Sequence, residues 1–270
     1  MRITFDTNCV DKVVRPHLSP KDPRNSEYQA VSKALESGLF TGAFSETIVT
    51  IEGIKKADRA IVFGSTRVRG KEEVPKVTED GTTVVNFKLF VEQLARSPLE
   101  PAFAERVQAA LRFGLKILRA PRIGMLHIKD PDRNLYVQDS ESAALSNRLM
   151  RYLDALEAIE TRGLGFSRLE RLAAKFAARA GAKEPWHQSL GLAADIHEER
   201  AVERAFAEWS DADSIAAHIG YGFDAFCTED LGNTGGDPSV FDATNRSWLN
   251  QTYGVKFVSL SDLASLAQRP

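Results

Sequence analysis

At 270 residues the chain is long enough to bury a large core as one domain or two smaller ones. A net charge of -2 gives no global field to attract a polyanion, so any nucleic acid would have to be held by a local basic patch. Two cysteines, Cys9 and Cys227, exclude both a disulfide-dense scaffold and a thiolate zinc cage, and no apolar run is long enough to cross a membrane. Buried, reduced cysteines and a start with no signal segment suit a cytoplasmic protein.

In chain order, "RITF" reads as a buried strand that stops on Asp6, Thr7 and Asn8. "DPRNSEYQAVSKALESG" follows as a helix with Val31 and Leu35 four apart and Gly38 at its end. "LFTGAFSETIVTIEGIKKA" reads as a short strand entering a helix, with Ser45 as N-cap, Glu46 in the first turn and Ile48, Ile51 and Glu52 at helical spacing.

From about residue 60 the pattern changes. "AIVFGSTRVRGKEEVPKVTEDGTTVVNFKLF" alternates β-branched and polar residues and carries an Asp80-Gly81 turn signal, which predicts a hairpin. "PAFAERVQAALRFGL" is helical, and "HIKDPDRNLYVQD" is a turn-rich interruption. "SESAALSNRLMRYLDALEAIE" and "SRLERLAAKFAARAG" predict two amphipathic helices separated by Gly163 and Gly165, the second closed by Gly181. "EERAVERAFAEWSDADSIAAHIGYG" is helical with a predicted break near Ser210. "DAFCTED" and "VKFVSL" are strands, and "SDLASLAQ" is a terminal helix.

Strands alternating with helices at both ends predict an α/β fold around a mainly parallel sheet. The expected division is a core of residues 1–58 and 205–270, with 59–204 inserted as a mostly helical subdomain carrying the hairpin.

The acids form a set. Asp6 ends one strand and Asp230 follows another, and in an open parallel sheet ligands gather beyond the carboxyl ends of the strands. Glu52 lies in the helix after the second strand, ahead of Glu46 as the inward-pointing acid. Asp213 lies in the first turn of the expected helix capped by Ser210. Asp211 and Glu229 read as solvent-facing charge, and Asp237 and Asp242 as a solvated loop. Carboxylates crowded together repel and raise one another's pKa unless a cation sits among them, and hard divalent ions match oxygen ligands. Such an ion suits phosphodiester chemistry.

"ITFDTN", "SETIVTIEGI", "DADSIAAHIGYGFDAFCTED" and "VKFVSLSDL" together resemble a PIN-domain nuclease over roughly residues 1–58 and 205–268. The resemblance implies a three-layer α/β/α fold with a central mainly parallel sheet, and a magnesium- or manganese-dependent nuclease, usually acting on RNA, whose metal is held by Asp6, Glu52, Asp213 and Asp230. It places Thr7, Asn8 and Thr228 as small polar residues that orient ligands or water. Family members are often the toxins of toxin–antitoxin pairs, but this chain is longer, and no antitoxin-like partner is legible in it. The insertion is expected to be a lid, a side wall or a homodimer surface, with Arg67, Arg69 and Lys71 at a hairpin tip reaching backbone phosphates.

The rival reading is a non-cleaving PIN-like module whose insertion docks an RNA or a protein. A haloacid-dehalogenase-type phosphatase is disfavoured because that chemistry wants an Asp where Asn8 stands. The five histidines, His17, His127, His187, His197 and His218, lack zinc-site spacing. "GLGFSR" fails as a dinucleotide loop because it joins two helices.

Overall fold

The structure, a computed structural model, describes residues 1–72, 76–81, 83–84, 87–93, 99–120, 134–139, 142–183, 185–232 and 236–268. Its order is β1 (Arg2–Phe5), α1 (Thr7–Val14), α2 (Asn25–Glu36), β2 (Thr41–Ser45), a wide helical turn at Ile48–Glu52 and α3 (Lys56–Gly64). β3 (Thr66–Glu72), β4 (Lys76–Val77), β5 (Thr83–Val84), β6 (Phe87–Gln93), α4 (Pro101–Phe113) and β7 (Lys116–Leu118) follow. Then come α5 (Ser142–Thr161), α6 (Phe166–Ala180), α7 (Trp186–Ser189), α8 (Ile196–Tyr221), β8 (Ala225–Cys227), α9 (Ala243–Tyr253), β9 (Phe257–Val258) and α10 (Leu260–Ala267).

Five strands form an all-parallel sheet in the order β7-β2-β1-β8-β9. The chain steps outward from β1 to β2 and β7, then returns to add β8 and β9 on the other side of β1. That reversal makes β1/β8 the switch point of the sheet, the place beyond the strand ends where open α/β sheets bind ligands.

Side chains alternate across the pleat, so each strand feeds two cores. Ile3, Phe5, Phe44, Ile117 and Cys227 pack under α1, α2, α4 and α10, with Val13, Val31, Val107 and Leu263 among their neighbours. Ala43, Leu118 and Phe226 face the opposite layer, against Tyr152 and Ile159 of α5, Ile215 and Ala216 of α8, and Leu249 of α9. Thr4, the polar residue of β1, also turns to that side, where its Oγ1 bonds His218 Nδ1 at 2.9 Å. Burial pushes the His218 imidazole down to about 3, so it stays neutral in a structural role.

A third core gathers Phe63 of α3, Leu169 and Phe176 of α6, Leu190, and Val202, Phe206 and Trp209 from the first half of α8. α8 therefore belongs to two bodies of packing: its first half to this helical lobe, its second half to the sheet. Gly165, at φ 60°, lets the α5–α6 turn settle on α8, because a Cβ there would stand 2.7 Å from Ala212 Cβ.

Two expectations are corrected here. The break near Ser210 is absent: α8 runs unbroken for 26 residues from an N-cap at Asp195, whose Oδ1 accepts from the backbones of His197 and Glu198. Ser45 ends β2 instead of capping a regular helix, and its Oγ accepts from the backbone and hydroxyl of Thr47. The stretch 59–204 also enters the sheet itself, since β7 pairs with β2 and α4 buries Val107 and Ala110 beneath it.

The Asp80-Gly81 turn joins β4 to β5, and β3 pairs antiparallel with β6. Most of "HIKDPDRNLYVQD", including His127, lies outside the described residues. Among the described residues, no helix is long and apolar enough to cross a membrane.

Candidate active site

The register that aligns Phe5 with Cys227 brings the next residues of both strands, Asp6 and Thr228, out side by side at the switch point. Asp6 is 9% exposed and caps α1. Its Oδ1 accepts from the Thr7 backbone at 2.7 Å, and its Oδ2 accepts from Asn8 Nδ2 and Thr228 Oγ1, each at 2.6 Å. Asn8 Nδ2 also reaches Thr228 Oγ1 at 3.3 Å, while Asn8 Oδ1 accepts from the backbone of Glu229 at 3.2 Å. Thr7, Asn8 and Thr228 thus all orient Asp6, Thr7 through its main chain.

Asp230 lies two residues beyond Thr228. Its N–H donates to Thr228 Oγ1 at 3.0 Å, and its Oδ1 accepts from the backbone of Gly232 at 2.8 Å. Glu52 arrives from the wide turn after β2, which Gly53 closes by donating to Ile48 O at 2.8 Å. Ser210 Oγ donates to Glu52 Oε1 at 2.7 Å. Arg59, 5% exposed, ties the turn down through Nε to Ile54 O (3.1 Å) and Nη2 to Glu52 O (3.0 Å).

The fourth expected acid is placed differently. Asp213 is 1% exposed, and its Oδ2 accepts from Trp209 Nε1 at 3.2 Å, beside the aromatic cluster of the helical lobe. Asp211, read from sequence as solvent-facing, is the α8 residue that shares the crevice: its charge interacts with Asp6, Glu52 and Asp230. Residues two apart on a helix point about 200° apart, so Asp211 and Asp213 cannot face the same pocket. With the N-cap 15 residues earlier than expected, the phase of α8 selects Asp211.

The electrostatics record the crowding. Burial first, then the Glu52 charge and finally Asp230 raise the Asp6 carboxyl from 3.8 to about 7, against the opposing bonds from Thr228 and Thr7. Asp211 is pushed well above the carboxylate range by burial and then by Asp6, Glu52, Glu208 and Asp230. Two guanidinium groups answer these charges: Arg59 senses Glu52 and Asp211, and Arg246 senses Asp230 and Asp6.

The remaining acids have structural work. Glu46 points away from the crevice, accepting from Ala120 N (3.1 Å) and Tyr136 Oη (3.0 Å), which resolves the choice between Glu46 and Glu52. Glu229, also expected to face solvent, holds Arg24 through two bonds at 2.8 and 3.0 Å and caps Leu260 N. Asp237 pairs with Arg168 and Arg204. Asp242 caps α9, accepting from Asn245 N at 2.8 Å.

Arg67, Arg69 and Lys71 lie on β3, in register with Glu92, Phe90 and Lys88, so they sit along the stem of the ribbon and not at its tip. Cys9 and Cys227 are buried and free, and His197 is exposed.

Four carboxylates from four segments present the hard oxygen donors that magnesium or manganese prefers. Among the described residues, however, no group of three or more His, Cys, Asp or Glu side chains is spaced as a ready metal cage. The donor chemistry fits a hard cation; the side chains would have to close around it.

The chain matches no protein-family model, no curated protein and no solved structure. Its class is therefore the one its fold and crevice define: a three-layer α/β protein with an acidic pocket at the switch point of a parallel sheet.

Proposed function

We propose that the chain is a metal-dependent, PIN-like endoribonuclease of a reducing, cytoplasmic compartment. The observation that carries this reading is Asp6, a carboxylate buried at the switch point, gripped by three donors and interacting with the charges of acids from three other segments, Glu52, Asp211 and Asp230. Such a cluster costs stability at neutral pH in the absence of a cation, which is the expected signature of a binding site and not of a scaffold.

Asp6, Glu52, Asp211 and Asp230 would hold magnesium or manganese. When bound, the ion would activate water and stabilise charge on a phosphodiester. Asn8 and Thr228 keep Asp6 Oδ2 oriented, and Ser210 does the same for Glu52 Oε1.

The test is incubation of labelled single-stranded RNA with the protein in magnesium, manganese or chelator, beside Asp6→Asn. Cleavage is expected with metal and wild type alone. Intact RNA in both metals, with the protein folded, overturns the proposal.

A further inference from the structure

The crevice is not uniformly acidic. Arg246, in the first turns of α9, is half-buried, and its guanidinium is fixed by three kinds of contact. Nε donates to Phe241 O at 2.7 Å, Nη2 donates to the carbonyl of Asp230, and the group lies over the ring of Phe257 at 4.9 Å, with Phe241 at 5.8 Å. Both bonds go to main-chain carbonyls. Among the described residues, Arg246 makes no ion pair with a carboxylate, yet its charge interacts with Asp230 and Asp6, the two acids at the strand ends.

Of the five N–H donors of a guanidinium, the two carbonyls use two, so the rest are open to an incoming acceptor. Arg59 provides the contrast. It too is tied to carbonyls and senses the acids, but it is 5% exposed and sealed beneath the turn that carries Glu52. Arg59 positions; Arg246 is reachable.

An RNA phosphate entering an acidic crevice meets repulsion that the protein must offset close to the reacting group. An arginine fork matches phosphate oxygens, and one already held by carbonyls and an aromatic face loses little freedom on binding. We infer that Arg246 is a substrate-binding residue that takes a non-bridging oxygen of an RNA phosphate seated against Asp6 and Asp230. This inference rests on the nuclease reading.

The experiment is fluorescence anisotropy of labelled single-stranded RNA on the full chain, with calcium supplied as the divalent ion, over a series of monovalent salt concentrations. Arg246→Gln is expected to weaken binding about tenfold, and the slope of log K against log salt should become shallower by roughly 0.7, the share of one phosphate contact on a single strand. Arg246→Lys keeps the charge, so it should keep the slope while binding several-fold more weakly. It carries the test if Arg246→Gln does not fold.

Wild-type affinity and slope in a folded Arg246→Gln would make Arg246 a structural tie only, overturning the inference while leaving the nuclease reading intact. Unchanged affinity in Arg246→Lys overturns it equally. Absence of RNA binding by wild type overturns both.

Discussion

Replacing Asp6 by asparagine should leave the metal-free protein as stable or more stable at high pH, an unusual result for a buried residue with three hydrogen bonds. The folded carboxyl titrates at about 7 instead of 3.8, so between these values the folded state holds a proton that the unfolded state has released. Stability therefore falls as pH rises through this window, by about 1.4 kcal/mol per unit at most. Between pH 5 and 8 the Asp6 contribution drops by about 3 kcal/mol, an upper figure because Asp211 shares the repulsion.

Asparagine does not titrate and caps a helix as well as aspartate, but its amide nitrogen faces a donor, at a cost of about 1–3 kcal/mol. In chelator, Asp6→Asn should thus be less stable than wild type by about 1–3 kcal/mol at pH 5, and as stable or more stable by up to ~2 kcal/mol at pH 8. Urea denaturation at the two pH values measures both differences. A difference that does not change with pH, or a variant that is weaker at pH 8 than at pH 5 relative to wild type, would refute the idea that Asp6 sits in uncompensated negative charge.

Three further outcomes are expected. Asp211→Asn should abolish the rise in thermal midpoint that manganese gives wild type, whereas Asp213→Asn should keep that rise while weakening the bond from Trp209; thermal scans with and without the ion separate them. Thr228→Val removes a donor to the ionised Asp6, so the Asp6 pKa should rise further and manganese affinity fall roughly 10–100-fold, read by titration calorimetry. Phe206→Ala strips the ring packed 5.2 Å from Phe63 and 6.0 Å from Trp209, and should cost about 3–5 kcal/mol by denaturant titration. A loss below 1 kcal/mol would mean the helical lobe does not fold as one body with α8.

The parts of the fold written in local pattern were legible. β1, β2 and β8 stand where apolar runs meet Asp6, Ser45 and Thr228, and the helix-ending glycines stand where the chain turns left-handed. Asp6 and Asp230 could be read because strand ends in a parallel sheet share one rim. Asp211 could not, because "WSDADS" contains a serine that looks like a cap, and treating it as one shifts the phase of the helix onto Asp213. Only the tertiary role of Ser210, donating to Glu52, removes that ambiguity.

β7 escaped notice because three residues at a sheet edge carry no period. Arg59 and Arg246 were invisible for a different reason: their partners are main-chain carbonyls, which leave no trace in residue identity. Glu46 and Glu52 are both acids in one segment, and their roles are decided by Tyr136 and Ser210, far away in sequence.

The most direct test of the central claim is metal-dependent cleavage of labelled RNA by wild type, Asp211→Asn and Asp213→Asn, all confirmed as folded. The crevice described above predicts cleavage in manganese by wild type and Asp213→Asn, none in chelator and none by Asp211→Asn. Cleavage by Asp211→Asn at the wild-type rate, or by no protein in either magnesium or manganese, would contradict it.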